Sequence, residues 1–390
     1  MKLTTGIALF TFSSAVAAEN WKLGGKLEQT LWVSNNIPST FLEFDDGVLY
    51  APSLSLNFEY QPNPYFYFQS TFQVDRGFDA GTELDGDYRF DTLFWRYRPT
   101  GDNRLNFQVG KFATVVGNWV SEYQENVFLL APLPYSSITG ANSQDLDQLS
   151  PQAIEDRANG LAPSIYENKT SWSSIIWGPA YGNGASVFGN TEKWDYAFEI
   201  KNTSLGSTPE EWEFGEGDFR DPLFAGRIGY RPDAAWAFGT SFSHGPYLDA
   251  DVFDDLNPGL DRGDFDQTLI GIDMRWAHGR WLVSGEAFFT SYDRPGEDLE
   301  ALSYYLQAQY KISPGLSAGL RFGQTLTNDV PVPSGGEAPW SPDIHRTELA
   351  IAWRITPELL FQAQYSYTKV TNDFSSPASG LFGTSISWKF

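Results

Sequence analysis

Apolar residues recur at every second position along most of this chain, and the pattern is cleanest at its end. Between Gly380 and Phe390, the residues Phe382, Thr384, Ile386, Trp388 and Phe390 fall on one face, and Leu381, Gly383, Ser385, Ser387 and Lys389 on the other. A period of two is a β-strand whose two faces meet different surroundings. The same form returns as paired runs around tight turns. Thr268–Trp276 and Trp281–Phe289 flank Ala277-His-Gly279, Leu302–Ile312 and Leu316–Leu326 flank Ser313-Pro-Gly315, and Thr347–Ile355 and Leu359–Tyr367 flank Thr356-Pro-Glu358. The first half repeats it less regularly, at Trp21–Val33, Leu54–Tyr60, Phe66–Val74, Leu93–Tyr97, Leu105–Val109 and Trp194–Ile200.

Short turns fall near residues 61, 99, 190, 232, 277, 313 and 356. Long connections fall near 34–47, 75–87, 113–182, 203–222, 245–264, 292–300, 327–346 and 371–380. Seven turns and eight loops join sixteen strands, the sixth lying near Gly184–Gly189 or at Ser171–Trp177. An apolar strand left at a sheet edge invites aggregation, and a closed barrel has no edge. The expected fold is therefore all-β: a transmembrane, antiparallel, up-and-down β-barrel of sixteen strands. Aromatics flank the short turns on the apolar face (Tyr60, Tyr97, Trp194, Tyr230, Trp236, Trp276, Trp281, Tyr310, Trp353 and Trp388), as in an interfacial girdle. Acidic residues gather in the long loops, six each in Ser204–Pro222 and Pro246–Asp264.

Composition agrees. The mean hydropathy of −0.34 is that of a soluble protein, but a barrel gives the same average because apolar and polar residues alternate. The absence of cysteine excludes a disulfide scaffold, and a net charge of −23 argues against a nucleic-acid partner. Met1-Lys2, the apolar run Leu3–Phe12 and the small residues Ser13–Ala18 read as a signal peptide over 1–18, leaving 19–390 as an outer-membrane barrel. The three histidines, His244, His278 and His345, have no hydrolase partners, so no enzyme is expected. No metal or cofactor is expected either: Asp145-Leu-Asp147 and Asp249-Ala-Asp251 lack Ca²⁺-loop spacing.

The last strand, ending in Phe with apolar or aromatic residues at alternate positions, resembles the C-terminal signal of bacterial outer-membrane barrels. Val109-Gly-Lys-Phe-Ala-Thr-Val-Val-Gly-Asn-Trp119 resembles the "GKF…FG" segment of the phosphate-selective porin (O/P-type) superfamily, and Gly184–Asn202 is similar to that family's strand after the loop. In place of the family's Pro-Phe-Gly the chain reads Val115-Val-Gly117, and no lysine cluster that would hold phosphate is present. The resemblance implies a porin of the bacterial outer membrane, surrounded by lipid and lipopolysaccharide. Its third long loop, here 113–182, would fold inward as the constriction. Homotrimers are common for this architecture.

A barrel of sixteen strands is too wide for side chains to fill, so function is expected on the inner wall. Alternation places Arg96, Arg227, Arg275, Arg321 and Arg354 there, with Asp273, Glu286 and Glu348. Lys22, Lys26, Arg104, Arg231, Glu28, Glu59, Asp195 and Glu199 share that face. The wall arginines are expected to face loop acids, Asp145 and Asp147 first, across the pore. The apolar anchors Phe128-Leu-Leu130 and Ala131–Tyr135 are expected to hold the loop inside. The expected function is passive diffusion of small hydrophilic solutes and ions. The alternatives are a channel selective for sugars or anions, with Tyr305, Phe288 and Phe94 stacking on sugar rings, or a structural or adhesive barrel.

Overall fold

A computed structural model describes residues 17–18, 20–36, 40–42, 44, 47–75, 87–122, 126–142, 146–166, 172–206, 219–248, 259–294, 296–371 and 378–390 of the 390. Sixteen long strands carry the fold: β1 (Trp21–Ser34), β2 (Val48–Asn63), β3 (Phe66–Asp75), β4 (Asp87–Tyr97), β5 (Asn106–Phe112), β6 (Gly182–Asn190), β7 (Trp194–Lys201) and β8 (Leu223–Tyr230), then β9 (Trp236–Pro246), β10 (Asp266–His278), β11 (Trp281–Tyr292), β12 (Leu299–Ser313), β13 (Leu316–Thr327), β14 (Asp343–Arg354), β15 (Leu359–Thr371) and β16 (Ala378–Lys389). Each pairs antiparallel with the next, and β16 pairs with β1, so the sheet closes. Leu27 lies opposite Trp388, and the backbones of Gly25 and Phe390 exchange hydrogen bonds of 2.9 and 3.0 Å. Most of the segment read as a signal peptide, most of the acid of the two long loops, and Asp145 lie outside the described residues. Ala17 and Ala18 pair back on Lys22 and Trp21.

Pleating assigns the faces. Phe107 and Val109 are exposed on the outside, whereas Gln108 between them is 6% exposed. Along β10 to β16 the outer face is Ile270, Ile272, Phe289, Leu306, Leu320, Leu349, Tyr365 and Phe382, all exposed. Such a surface would cost about 25 cal/mol per Å² in water and is stable in lipid. At the short-turn end the rings touch in pairs: Trp194 with Tyr230 (4.6 Å), Trp281 with Tyr310 (4.7 Å), Phe66 with Tyr97 (5.1 Å) and Trp236 with Trp276 (6.1 Å). Rings of the expected girdle are thus paired at that end.

The sixth strand is Gly182–Asn190, and the competing segment contributes a short strand, Trp172–Ser174, that pairs with Ile138–Asn142 inside the third loop. Two irregularities interrupt these strands. The register of β3 against β4 slips between Thr71 and Phe72, so that Thr92 and Phe90 are the consecutive partners and Asp91 is the extra residue. On β5, Gly110 takes φ 129, which only glycine adopts without strain. A bulge such as that at Asp91 reverses which face later residues occupy.

Candidate functional site

Described residues of the third loop, 113–181, are bonded by side chains of the inward strand face, which satisfy part of its irregular backbone. A buried N–H or C=O without a partner costs about 1–3 kcal/mol, so such a segment needs acceptors and donors from outside itself. Glu199 on β7 accepts from the Thr114 hydroxyl at 2.7 Å and the Val115 amide at 3.3 Å. Ser241 on β9 accepts from the Gly117 amide at 3.0 Å. Glu286 on β11 accepts from the amides of Asn118 (2.7 Å) and Trp119 (2.6 Å) and from the Tyr135 hydroxyl. On β15, Gln364 accepts from the Leu129 amide at 2.6 Å, and Gln362 donates to the Asn126 and Val127 carbonyls at 3.1 and 3.2 Å. Arg321 on β13 donates to the Leu130 carbonyl at 2.7 Å, and Arg346 on β14 to the Ser136 hydroxyl at 2.8 Å.

Apolar packing reinforces these bonds. The expected anchors Phe128, Leu130, Leu133 and Tyr135 are all buried. Tyr135 meets Phe288 edge-on at 5.8 Å and Trp119 at 4.7 Å. Burial, and next to it the Glu286 carboxylate, pushes the Tyr135 phenol well above its usual range, so it is a hydrogen-bond donor at any physiological pH. Gly117 has φ 73, and a Cβ there would collide with the Tyr135 hydroxyl. Glycine is therefore required where the chain turns along the wall.

The wall candidates have distinct fates. Arg227 bonds Asp195 at 2.6 Å and Asp273 at 2.8 Å. Arg321 pairs with Glu348, and its guanidinium lies 4.2 Å from the centroid of Phe128. Arg275 meets Glu122 at 2.9 Å, so among the described residues the loop acid that reaches a wall arginine is Glu122. Asp147 is exposed on the turn Leu146–Leu149, and its companion Asp145 lies outside the described residues. Arg354 is exposed at the short-turn rim and donates to the Pro357 carbonyl at 3.2 Å. Arg96 donates to Gln108 at 3.1 and 2.8 Å. Phe288, Tyr305 and Phe94 are 0%, 4% and 5% exposed, which removes them as a stacking track for sugars.

The open space lies on the other side of the barrel. A cavity of about 710 Å³ runs between the loop and the inner face of β1 to β4. At the short-turn end it is lined by Lys22, Glu59, Lys389 and Phe390, and at the long-loop end by Thr40, Phe41 and Leu42 of the first loop. Leu129, Leu130, Ala131, Ser136, Pro179 and Tyr181 form its loop side. The wall side is mostly short and polar: Ser53, Ser55, Asn57, Gln69, Thr71, Gln73 and Thr92. Its charged lining is balanced, with Lys22, Lys26, Arg89 and Lys389 against Glu28, Glu59, Asp75 and Asp91. Lys26 bonds Glu28 at 2.9 Å.

Arg89 is the centre of this wall and was not legible in the strand pattern. Its Nη atoms reach the two oxygens of Asp75 at 2.9 and 2.8 Å, and its Nε reaches Asp91 at 2.9 Å. Counting alternately back from Leu93 puts Arg89 and Asp91 outside. The bulge at Asp91 returns them to the lumen. Arg346 shares the inner face with Glu348, two positions away, and the alternation alone reaches it.

No protein-family model matches the sequence, and no curated protein matches it. Among solved structures, the chain is similar to the anion-selective porin from Comamonas acidovorans, with 11% identity, a TM-score of 0.56, and 95% of this chain and 99% of that one covered. It is similar to OmpF of Salmonella typhi in complex with daunomycin (10% identity, TM-score 0.57, 97% and 100% covered). It is also similar to OmpT, an outer-membrane protein of Vibrio cholerae (10% identity, TM-score 0.55, 97% and 100% covered). At such identities the likeness is one of fold: the chain has the closed sixteen-stranded barrel of bacterial outer-membrane porins.

Proposed function

We propose that this chain is a porin of a bacterial outer membrane, and not an enzyme. It passes small hydrophilic solutes and ions passively through the space between its third loop and β1 to β4. The single observation that carries this is the cavity of about 710 Å³, whose wall side bears hydroxyl, amide and charged side chains, inside a closed barrel whose outer face is apolar. The loop 113–181 sets the narrowest cross-section on this reading, since it occupies the β7 to β15 side and leaves the other side open. Short turns face the periplasm and the long acidic loops the outside, where lipopolysaccharide surrounds them. The signal peptide over 1–18 delivers the chain there. Assembly as a homotrimer fits this architecture, and the segment 109–119 resembles that of the phosphate-selective porin superfamily.

Purified protein in planar bilayers tests the function. Stable ohmic current steps in KCl are expected. A heat-modifiable, folded protein that gives no steps overturns the reading in favour of a structural or adhesive barrel.

A further inference from the structure

Most basic side chains on the inner wall meet an acid. Lys22 meets Glu59 at 3.9 Å, Lys201 meets Glu199 at 3.4 Å, and Arg89, Arg227, Arg275 and Arg321 each have a carboxylate at hydrogen-bond distance. Arg96 and Arg98 differ. They stand two residues apart on the inner face of β4 and just beyond it, and neither has an ion-pair partner among the described residues. Arg98 Nε is buried with no hydrogen-bond partner among them. Arg96 spends Nε and one Nη on a single neutral oxygen, that of Gln108. The nearby Glu59 is turned to Lys22 and lies against Tyr67.

Aromatic rings frame the two guanidiniums. Arg96 Cζ lies 5.3 Å from the Tyr67 centroid, 5.2 Å from Phe94 and 4.8 Å from Phe188, and Arg98 Cζ lies 5.4 Å from Tyr67. Stacking on a ring uses the face of a guanidinium and leaves its N–H edge free. That edge matches the two oxygens of a carboxylate. The bland reading, that the rings merely hold the arginines in place, accounts for the faces and leaves the second Nη of Arg96, Arg98 Nε and the two adjacent charges unanswered. Arg96, Tyr67 and Phe188 are half-buried and so remain accessible. The Tyr67 hydroxyl donates to Gln69 at 3.1 Å, and Gln69 and Glu59 both line the open cavity, so the cluster adjoins the passage near its short-turn mouth.

We propose that Arg96 and Arg98, with the accessible rings of Tyr67 and Phe188, form a binding site for planar organic anions, aromatic carboxylates in particular. The carboxylate takes the N–H edges, and its ring joins the row of aromatic faces. What the site does, favouring such anions in transit, rests on the channel reading; whether it binds does not.

The test titrates benzoate, benzamide and acetate into the whole detergent-solubilised barrel by calorimetry, and applies benzoate to the same protein in planar bilayers. Saturable benzoate binding is expected, at least about tenfold tighter than either of the others, because each lacks the ring or the charge. Arg96→Gln with Arg98→Gln is expected to weaken it at least about tenfold. Phe188→Leu, which keeps both charges, is expected to weaken benzoate about threefold and leave acetate unchanged. In bilayers, benzoate is expected to lower the current in a saturable way. If benzamide or acetate binds as tightly as benzoate, or the folded double variant binds unchanged, the site is wrong. Should the double variant not fold, the three-ligand comparison and Phe188→Leu decide. A barrel that conducts and does not bind benzoate overturns the site alone. One that binds and carries no current overturns the channel and leaves the site standing.

Discussion

The wall of this barrel is built twice from one pattern. From β7 to β15 many inward polar residues are tied to the third loop: Glu199, Ser241, Glu286, Arg321, Gln362 and Gln364 all bond its backbone, while Arg227 pairs with Asp195 and Asp273. From β1 to β4 the inward residues are shorter and face open space, with charges paired among themselves. Both halves alternate polar-in and apolar-out. The difference is what stands opposite. An inward carboxylate such as Glu286 is a structural acceptor where the loop covers it, whereas Glu28 in the open half is available to solvent and solute. Charge on an inner wall is therefore no measure of a role in permeation.

The largest effect expected from breaking this contrast is removal of the loop. Replacing 114–180 by a short Gly-Ser turn empties the covered half, and single-channel conductance is expected to rise at least about twofold. Unchanged conductance would place the narrowest point elsewhere. Next is Arg89→Ala, which leaves Asp75 and Asp91 without their shared partner beside the passage. Losing one side of a buried pair costs about 3–5 kcal/mol, measurable by urea unfolding in lipid. In a KCl gradient the zero-current potential is expected to move toward cation preference.

A smaller effect is expected at Glu286→Ala, which strands two loop amides and the Tyr135 hydroxyl. The cost is on the order of 3 kcal/mol, and current noise from a loosened loop accompanies it. The matched change in the open half, Glu28→Ala, is expected to shift stability by less than about 0.5 kcal/mol. Equal losses at the two sites would erase the distinction between the halves. Smallest of all is Arg354→Gln, at an exposed rim position outside both regions. Conductance, reversal potential and stability are expected to stay within error, and a shifted reversal potential would restore Arg354 to the passage.

Much of this was determined by sequence alone. The period of two, the alternation of short turns with long loops and the aromatic flanks specified sixteen strands, their faces and the girdle, because each is a local consequence of pleating and of the surrounding solvent. The anchors Phe128 to Tyr135 were legible as well, since apolar residues in a long loop need cover. Tertiary structure decided the rest. Alternation says on which side of the wall a residue lies and nothing of what faces it across the lumen, so Arg227, Arg321 and Glu286 read as pore residues although acids or the loop occupy them. It also fails at irregularities. One extra residue at Asp91 turned Arg89 inward, and the unusual φ of Gly110 interrupted the pattern just before the buried Lys111. These depend on how neighbouring strands meet, and pairing between strands is a property of the closed sheet that no single segment carries.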